Sequence, residues 1–502
     1  MAPSGNKTQL CQATVGGVPV AMTRGTAPEN RNFLGVPCMH QHLQITRRSL
    51  LKTFGSAGVG ACSLPYLVPL RALAGEGANR KLNLAVFGCG GRMGQILGSA
   101  LQQGDQVVAI CDVDARQITQ LKKRFGVKLE GAKVYEDYRK LLESEKPVDG
   151  VIIATGQRWH VPMSKAAMLA GKHVFCEKPL AHSCAEAREI REMGRQSKLA
   201  TQLGSQGGSS DTFRRSMELI QAGLLGKIRE VHCWITRSFP PSAPIDTNAD
   251  PIPDGLNWDF WSGPSPLLPY KNYYLAAPGA VGCLHWGRWL PFGDGHLADM
   301  GAHGLNLPWR ALKLGAPVRA SVKIPEPLRD SYPSATDFRW DFAARKGFDP
   351  VTVWWHDGRK AGPPQELGDE LLSTYGKVPS NGVLFAGEKG ILLSDAWGVG
   401  GVVRLKGDKK CRGVKDHEAG KSIPVTMPRT KDHMREWLDA CKGEGKTFQG
   451  FDTAACVAEI AMVGMVAMRL GKPIEWDSDA LKVKGIADAE RFVHLEQRRK
   501  WL

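Results

Sequence analysis

Leu82-Asn83-Leu84-Ala85-Val86-Phe87-Gly88-Cys89-Gly90-Gly91-Arg92-Met93-Gly94 decides the reading of the first half of the chain. Leu82 to Phe87 is an apolar run that reads as a strand. Gly88 to Gly94 reads as a tight turn, and Gln95 to Gln102 has a helical pattern. Strand, glycine turn and helix in that order make a pyrophosphate cradle. The glycines let a phosphate approach the backbone, and the helix N-terminus offers N–H donors and a positive dipole end. Met93 stands where the third glycine of G-x-G-x-x-G belongs, with Gly94 one place later. Glycines alone also fit a tight turn with no ligand, so the flanks decide. Gln106 to Cys111 is a second strand and ends at Asp112, 24 residues after Gly88. An acid at about that distance accepts hydrogen bonds from a ribose. Its charge repels a 2′-phosphate and favours NAD over NADP, a preference that Arg92 and Lys122-Lys123-Arg124 soften.

The alternation of strand and helix continues. Val148 to Ala154 is a strand ending in Thr155-Gly156, and Trp159-His160-Val161-Pro162 opens a helix closed by Gly171. Lys172 to Cys176 is a strand ending in Glu177-Lys178-Pro179. C-terminal strand ends face the ligand crevice of a doubly wound sheet. Thr155, Trp159, His160, Glu177 and Lys178 therefore join Gly88, Gly90, Gly91, Arg92, Met93 and Asp112 as candidate cofactor residues.

Gly88–Gly94, Asp112, Thr155…His160 and above all Glu177-Lys178-Pro179 resemble the Gfo/Idh/MocA oxidoreductases. Trp258-Asp259-Phe260-Trp261-Ser262-Gly263-Pro264, Gly295 to His303, Gly387-Glu388-Lys389-Gly390 and Leu470 to Asp477 are similar to the second domain of exported bacterial members. The resemblance covers roughly residues 80–502. It implies an α/β fold: a Rossmann doubly wound parallel sheet over 80–206, then an α+β domain with an open, mostly antiparallel sheet over 207–502. It further implies NAD (NADP possible), which the export signal described below would require to be tightly bound, a small sugar or polyol substrate, a homo-oligomer, and Lys178, Asp299 and His303 as catalytic residues. In that layout His303 is the base, Lys178 stabilises charge on the hydroxyl oxygen, and Asp299 orients the imidazole or binds a second hydroxyl. Asp299 and His303 are four apart, which places them on one helix face but also suits a structural helix pair. Two positions depart from the family: Gly156 where a Pro often stands, and Asn306 where an Asp often stands.

Beyond Gln206 the parallel units stop. Phe213 to Ala222 reads as a helix, Ile228 to Arg237 as a strand, and residues 238–295 as a long irregular segment rich in Pro, Gly and aromatics. Long loops of this kind often bind ligands. Trp286, Arg288 and Trp289 are the candidate substrate contacts, with local packing of the loop tryptophans as the alternative. Val351–His356 and Gly390–Ser394 read as strands. His433–Ala440 and the apolar Thr453–Leu470 read as helices, the latter as core.

Residues 1–74 read as a leader. Thr46-Arg47-Arg48-Ser49-Leu50-Leu51-Lys52, a weakly apolar stretch and Arg71-Ala72-Leu73-Ala74 resemble a bacterial twin-arginine signal, with cleavage after Ala74. Lipidation at Cys62 is a weaker option, and Met39 an alternative start. Export by the twin-arginine machinery to the periplasm delivers a folded protein, so a nucleotide must travel inside it. The leader holds seven of the 66 Lys+Arg and one of the 50 acids, hence +6 of the net +16. That removes much of an apparent nucleic-acid signal, and no basic helix or aromatic–basic motif replaces it. The 12 Cys show no regular spacing, which argues against a disulfide framework and a zinc site, and no metal is expected. Three functions stay open: a carbinol oxidoreductase; an NAD-dependent glycoside hydrolase or lyase using a further base such as Tyr273 or Tyr274; and a non-catalytic sugar-binding protein.

Overall fold

The computed structural model describes residues 80–102, 104–143 and 147–501. The leader, with its twin arginines, Cys62 and the Ala74 cleavage site, lies outside the described residues. Strands β1 (Asn83–Phe87), β2 (Gln106–Cys111), β3 (Lys133–Tyr135), β4 (Gly150–Ile153), β5 (His173–Cys176) and β6 (Thr201–Leu203) form a six-stranded sheet. Their order is β3-β2-β1-β4-β5-β6, and every pair is parallel. Chain order reverses between β1 and β4, which opens a crevice at their C-terminal ends. Sequence periodicity finds four of these strands. β3 and β6 are three-residue edge strands, too short to show a period.

The second sheet has ten strands: β7 (Ile228–Ile235), β8 (Arg319–Lys323), β9 (Thr336–Phe342), β10 (Val351–Asp357), β11 (Asn381–Gly387), β12 (Gly390–Ser394), β13 (Gly401–Leu405), β14 (Arg412–Gly413), β15 (Ile474–Asp477) and β16 (Lys482–Val483). Its order is β14-β13-β12-β11-β7-β10-β9-β8-β15-β16. All pairs are antiparallel except β7 with β10. Strict alternation in β9 and β10 buries Phe338, Trp340, Val353 and Trp355 on one face.

The two sheets share helices. The first half of the Phe451–Leu470 helix packs Phe451, Ala454 and Ala455 into the parallel-sheet core, while its second half joins the core of the ten-stranded sheet. This helix is long and apolar enough to cross a membrane, but it is mostly buried here as a core element. The His433–Cys441 helix sets Met434, Trp437 and Leu438 under the parallel sheet beside Leu84 and Val86. The boundary near residue 206 thus divides the sheets and not the cores. The irregular segment carries its own aromatic cluster of Leu256, Trp258, Tyr270, Tyr274, Trp289 and Phe292. All nine described cysteines are free thiols, six of them buried.

Candidate active site

A cavity of about 490 Å³ runs along the C-terminal strand ends. Gly88, Gly90 and Gly91 form one wall at the N-terminus of the Gly91–Gln102 helix. Gly88 has φ +82° and a Cβ there would lie 2.5 Å from the Ala154 carbonyl oxygen, so only glycine fits. At Gly90 a Cβ would meet nothing nearer than Gln117 Oε1 at 3.9 Å. That open face over helix N–H donors is the shape a pyrophosphate requires.

Asp112 follows β2 and lines the cavity. Its Oδ2 accepts from the Cys89 N–H at 2.6 Å and its Oδ1 from the Asp114 N–H at 2.9 Å. Each oxygen keeps a lone pair for a ribose hydroxyl. Burial raises its pKa to about 6 against these two N–H donors. Asp114 and Glu136 line the same end. The basic residues named from sequence do not offset them: Arg92 pairs with Glu177 at 2.8 Å, and Lys122, Lys123 and Arg124 are not among the lining residues.

The opposite end gathers Lys178, Asp299 and His303. Lys178 follows β5. Asp299 and His303 share one face of the Gly295–Gly304 helix, which Gly304 allows close to β10: a Cβ there would lie 3.2 Å from the Trp355 ring. The Lys178 ammonium donates to Asp299 Oδ1. Burial alone would lower the Lys178 pKa, but the Asp299 charge reverses this and holds it above its ordinary 10.5. Burial likewise pushes Asp299 up, and Lys178 pulls it below the usual carboxylate range. His303 is neutral: burial, then the Lys178 charge, lowers it to about 3. Its Nδ1 meets the Ser205 hydroxyl at 3.2 Å, and Asn306 Nδ2 reaches the same hydroxyl at 3.5 Å. Nε2 has no protein partner among the described residues.

Of the other candidates, Thr155, Trp159, Glu177 and Trp286 line the cavity. Glu177 is buried and engaged by Arg92 and by Gln206 Nε2 at 3.1 Å. Met93 is core, packed with Leu84 and Ile110. His160 is buried outside the lining, with Nδ1 2.5 Å from the Pro179 carbonyl and Nε2 3.2 Å from that of Thr155. Burial keeps it neutral, so its one N–H donates to one of these carbonyls, the nearer being that of Pro179. Arg288 donates to the Pro241 carbonyl and stacks on Trp289, which belongs to the aromatic cluster. Neither lines the cavity, nor do Tyr273 and Tyr274. Sequence reading did not single out Arg158, Ser205, Gln206, Arg237, Cys283 or Trp397. Ser205 and Gln206 follow the short β6, and Arg237 sits just past the end of β7, the one usable signal.

The family model for the oxidoreductase family with an NAD-binding Rossmann fold, Gfo/Idh/MocA, matches residues 82–205. The chain carries a Gfo/Idh/MocA-family NAD-binding domain. Within it lie the glycine turn, Asp112 and Glu177-Lys178-Pro179. The chain is 29% identical over 167 residues to a myo-inositol 2-dehydrogenase of Thermotoga maritima, spanning 33% of this chain and 48% of that one. It is 33% identical over 148 residues to an alpha-N-acetylgalactosaminidase of Tannerella forsythia, spanning 26% and 31%. The chain thus spans under half the length of these curated relatives. The two-sheet fold is similar to that of an aldose-aldose oxidoreductase from Caulobacter crescentus, crystallised with glycerol (TM-score 0.53, 18% identity, 79% of this chain and 100% of that one). It is also similar to the WlbA dehydrogenase from Chromobacterium violaceum, crystallised with NADH and UDP-GlcNAcA (TM-score 0.56, 16% identity, 81% and 99%).

Proposed function

We propose that this Gfo/Idh/MocA-family chain is an NAD-dependent oxidoreductase acting on the carbinol of a sugar, polyol or related molecule. The observation that carries the reading is the meeting of Lys178, Asp299 and the free Nε2 of His303 at one end of a dinucleotide cradle. Gly88, Gly90, Gly91 and Asp112 hold NAD, which supplies the hydride acceptor. The acids at the ribose end favour NAD over its 2′-phosphorylated form.

The division of labour follows from protonation. Lys178 is held as an ammonium, so it donates a hydrogen bond to the carbinol oxygen and stabilises negative charge as the O–H proton leaves. His303 is held neutral, so its Nε2 has a free lone pair to accept a hydrogen bond from that O–H and to take the proton once charge on the oxygen is balanced by Lys178, while Ser205 fixes Nδ1. Asp299 positions the ammonium. The Ala276–Trp286 stretch lines the cavity, and Gly279 and Ala280 lie against Gly91. This cover, with the twin-arginine-like leader, supports a cofactor retained through export to the periplasm. Denaturing purified protein and weighing the nucleotide released tests retention. Lys178→Ala tests the chemistry, and undiminished sugar-dependent cofactor reduction in that variant refutes it.

The likeness to the Tannerella glycosidase favours a second reading, transient oxidation followed by elimination of the aglycone. Its further base is not Tyr273 or Tyr274, which lie outside the cavity. Release of nitrophenol from nitrophenyl glycosides without added NAD selects it over the first.

A further inference from the structure

The cavity has opposite charge at its two ends. Asp112 and Glu136 make one end acidic, with Asp114 beside them held by Arg116 at 2.8 Å. At the other, Lys178 and Arg237 share a single carboxylate, Asp299. Glu177 does not add to the balance, because Arg92 neutralises it at 2.8 Å. Nor do the other titratable groups there. Burial holds His303 at about 3 and His296 at about 4, and it lifts the Cys283 thiol to about 11. Arg158 lines the cavity as a further cation, buried against Trp261 with its Nη1 unpartnered. One positive charge at the reacting end therefore has no counter-ion even before Arg158 is counted.

That charge is presented by Arg237. It lines the cavity with its side chain 42% exposed, and its one ion-pair contact among the described residues is the 3.6 Å approach to Asp299. It donates no side-chain hydrogen bond among the described residues. A guanidinium has five donors in a planar fork that matches a carboxylate in bidentate fashion. Its donors are turned to solvent and not spent on the protein, so they are available to an incoming anion, which the uncancelled charge of this end attracts.

We infer that the substrate is an acidic carbinol, a sugar or polyol bearing a carboxylate such as a uronate or aldonate, whose carboxylate is gripped by Arg237 while Lys178, Asp299 and His303 hold the reacting hydroxyl. The inference rests on the carbinol reading above and adds the substrate class. Arg237 is a specificity-determining residue in it.

The test compares D-glucuronate, D-gluconate and D-galacturonate with D-glucose and D-galactose on NAD-loaded full-length protein. D-glucose 6-phosphate serves as a second anion. Binding is read by calorimetry, and hydride transfer by nicotinamide absorbance. The acidic probes are expected to bind more tightly than their neutral twins. Arg237→Gln is expected to lower the acid-to-neutral ratio by about 10- to 140-fold, the range for a charge-assisted hydrogen bond, and Arg237→Lys to restore part of it. A ratio of one or below in the unaltered protein, or a ratio that Arg237→Gln leaves unchanged, overturns the inference. So does tighter binding of the phosphate than of any carboxylate. Neutral sugars that reduce the cofactor as well as acidic ones leave the oxidoreductase reading standing and remove this one. Arg237-dependent binding of acids with no cofactor reduction does the reverse. If the Gln variant does not fold, the ratio in the unaltered protein decides alone.

Discussion

Asp299→Asn isolates what the carboxylate does for Lys178. The two side chains are 15% and 10% exposed, and the ammonium donates directly to Oδ1. Burial pulls the Lys178 pKa down, and the Asp299 charge carries it above 10.5. Asn keeps the shape and an acceptor but removes the charge. A charge-assisted hydrogen bond is worth about 1.5–3 kcal/mol, and one pKa unit is about 1.4 kcal/mol. Without that charge, burial is left to pull the Lys178 pKa down in the variant. Arg237, left with no carboxylate, pushes in the same direction. In the unaltered protein the ammonium persists throughout the accessible alkaline range. In the variant, the alkaline limb of kcat/KM for cofactor reduction is expected to move toward neutrality. Stability carries a second readout. Lys178, with a raised folded pKa, contributes stability present below its unfolded value and lost as pH rises through the folded one. Asp299, with a lowered folded pKa, contributes stability present above its unfolded value and lost as pH falls through the folded one. The margin of the unaltered protein over Asp299→Asn is thus flat between about pH 5 and about pH 9 and shrinks at both extremes. An alkaline limb that does not move in an active variant, or a margin that grows toward acid, would falsify the assignment of Lys178 as a donor held charged by Asp299.

Three further outcomes are expected. NAD affinity, followed by calorimetry on cofactor-free protein, weakens as pH falls through about 6, because protonating Asp112 removes a charged acceptor for the ribose. Asp112→Asn flattens that dependence and narrows the gap between NAD and NADP, and a gap left unchanged contradicts the role. Gly88→Ala costs about 1–3 kcal/mol of stability, since φ is +82° and the Cβ meets the Ala154 carbonyl at 2.5 Å. Gly90→Ala, which points into open space, leaves the melting temperature nearly unchanged but fills the cradle and weakens NAD binding. Trp437→Ala costs about 3–5 kcal/mol in urea titration, because the fully buried indole packs under the parallel sheet against Gly150 and Phe175. A loss under about 1 kcal/mol would show that the sheet does not depend on the His433–Cys441 helix.

What could be read from the sequence follows from how local each signal is. The glycine turn, Asp112 and the Glu177-Lys178-Pro179 ending each lie at a strand end, and a period of two or an apolar run locates the strand. The Asp299–His303 spacing needs only one helix. β3 and β6 were not legible, being three residues long, and with β6 went Ser205, the partner of His303. The irregular segment misled in part because aromatic composition does not say which ring faces a ligand. Trp286 lines the cavity, whereas Trp289, three residues on, stacks on Tyr273 in a local core. His160 shows the same limit at a strand end. Its place near the crevice was legible, but its ring is turned onto the backbone carbonyls of Pro179 and Thr155, one of which takes its single N–H, and only the fold brings them to it. Arg237 lies furthest from sequence reach. A positive charge means something only beside the charges that fail to cancel it, and those come from β5 and from the Gly295–Gly304 helix, 59 and 62 positions away from it on either side for Lys178 and Asp299. Charge balance at a site is a tertiary property, so the residue that distinguishes an acidic substrate from a neutral one becomes visible only after the two sheets are assembled.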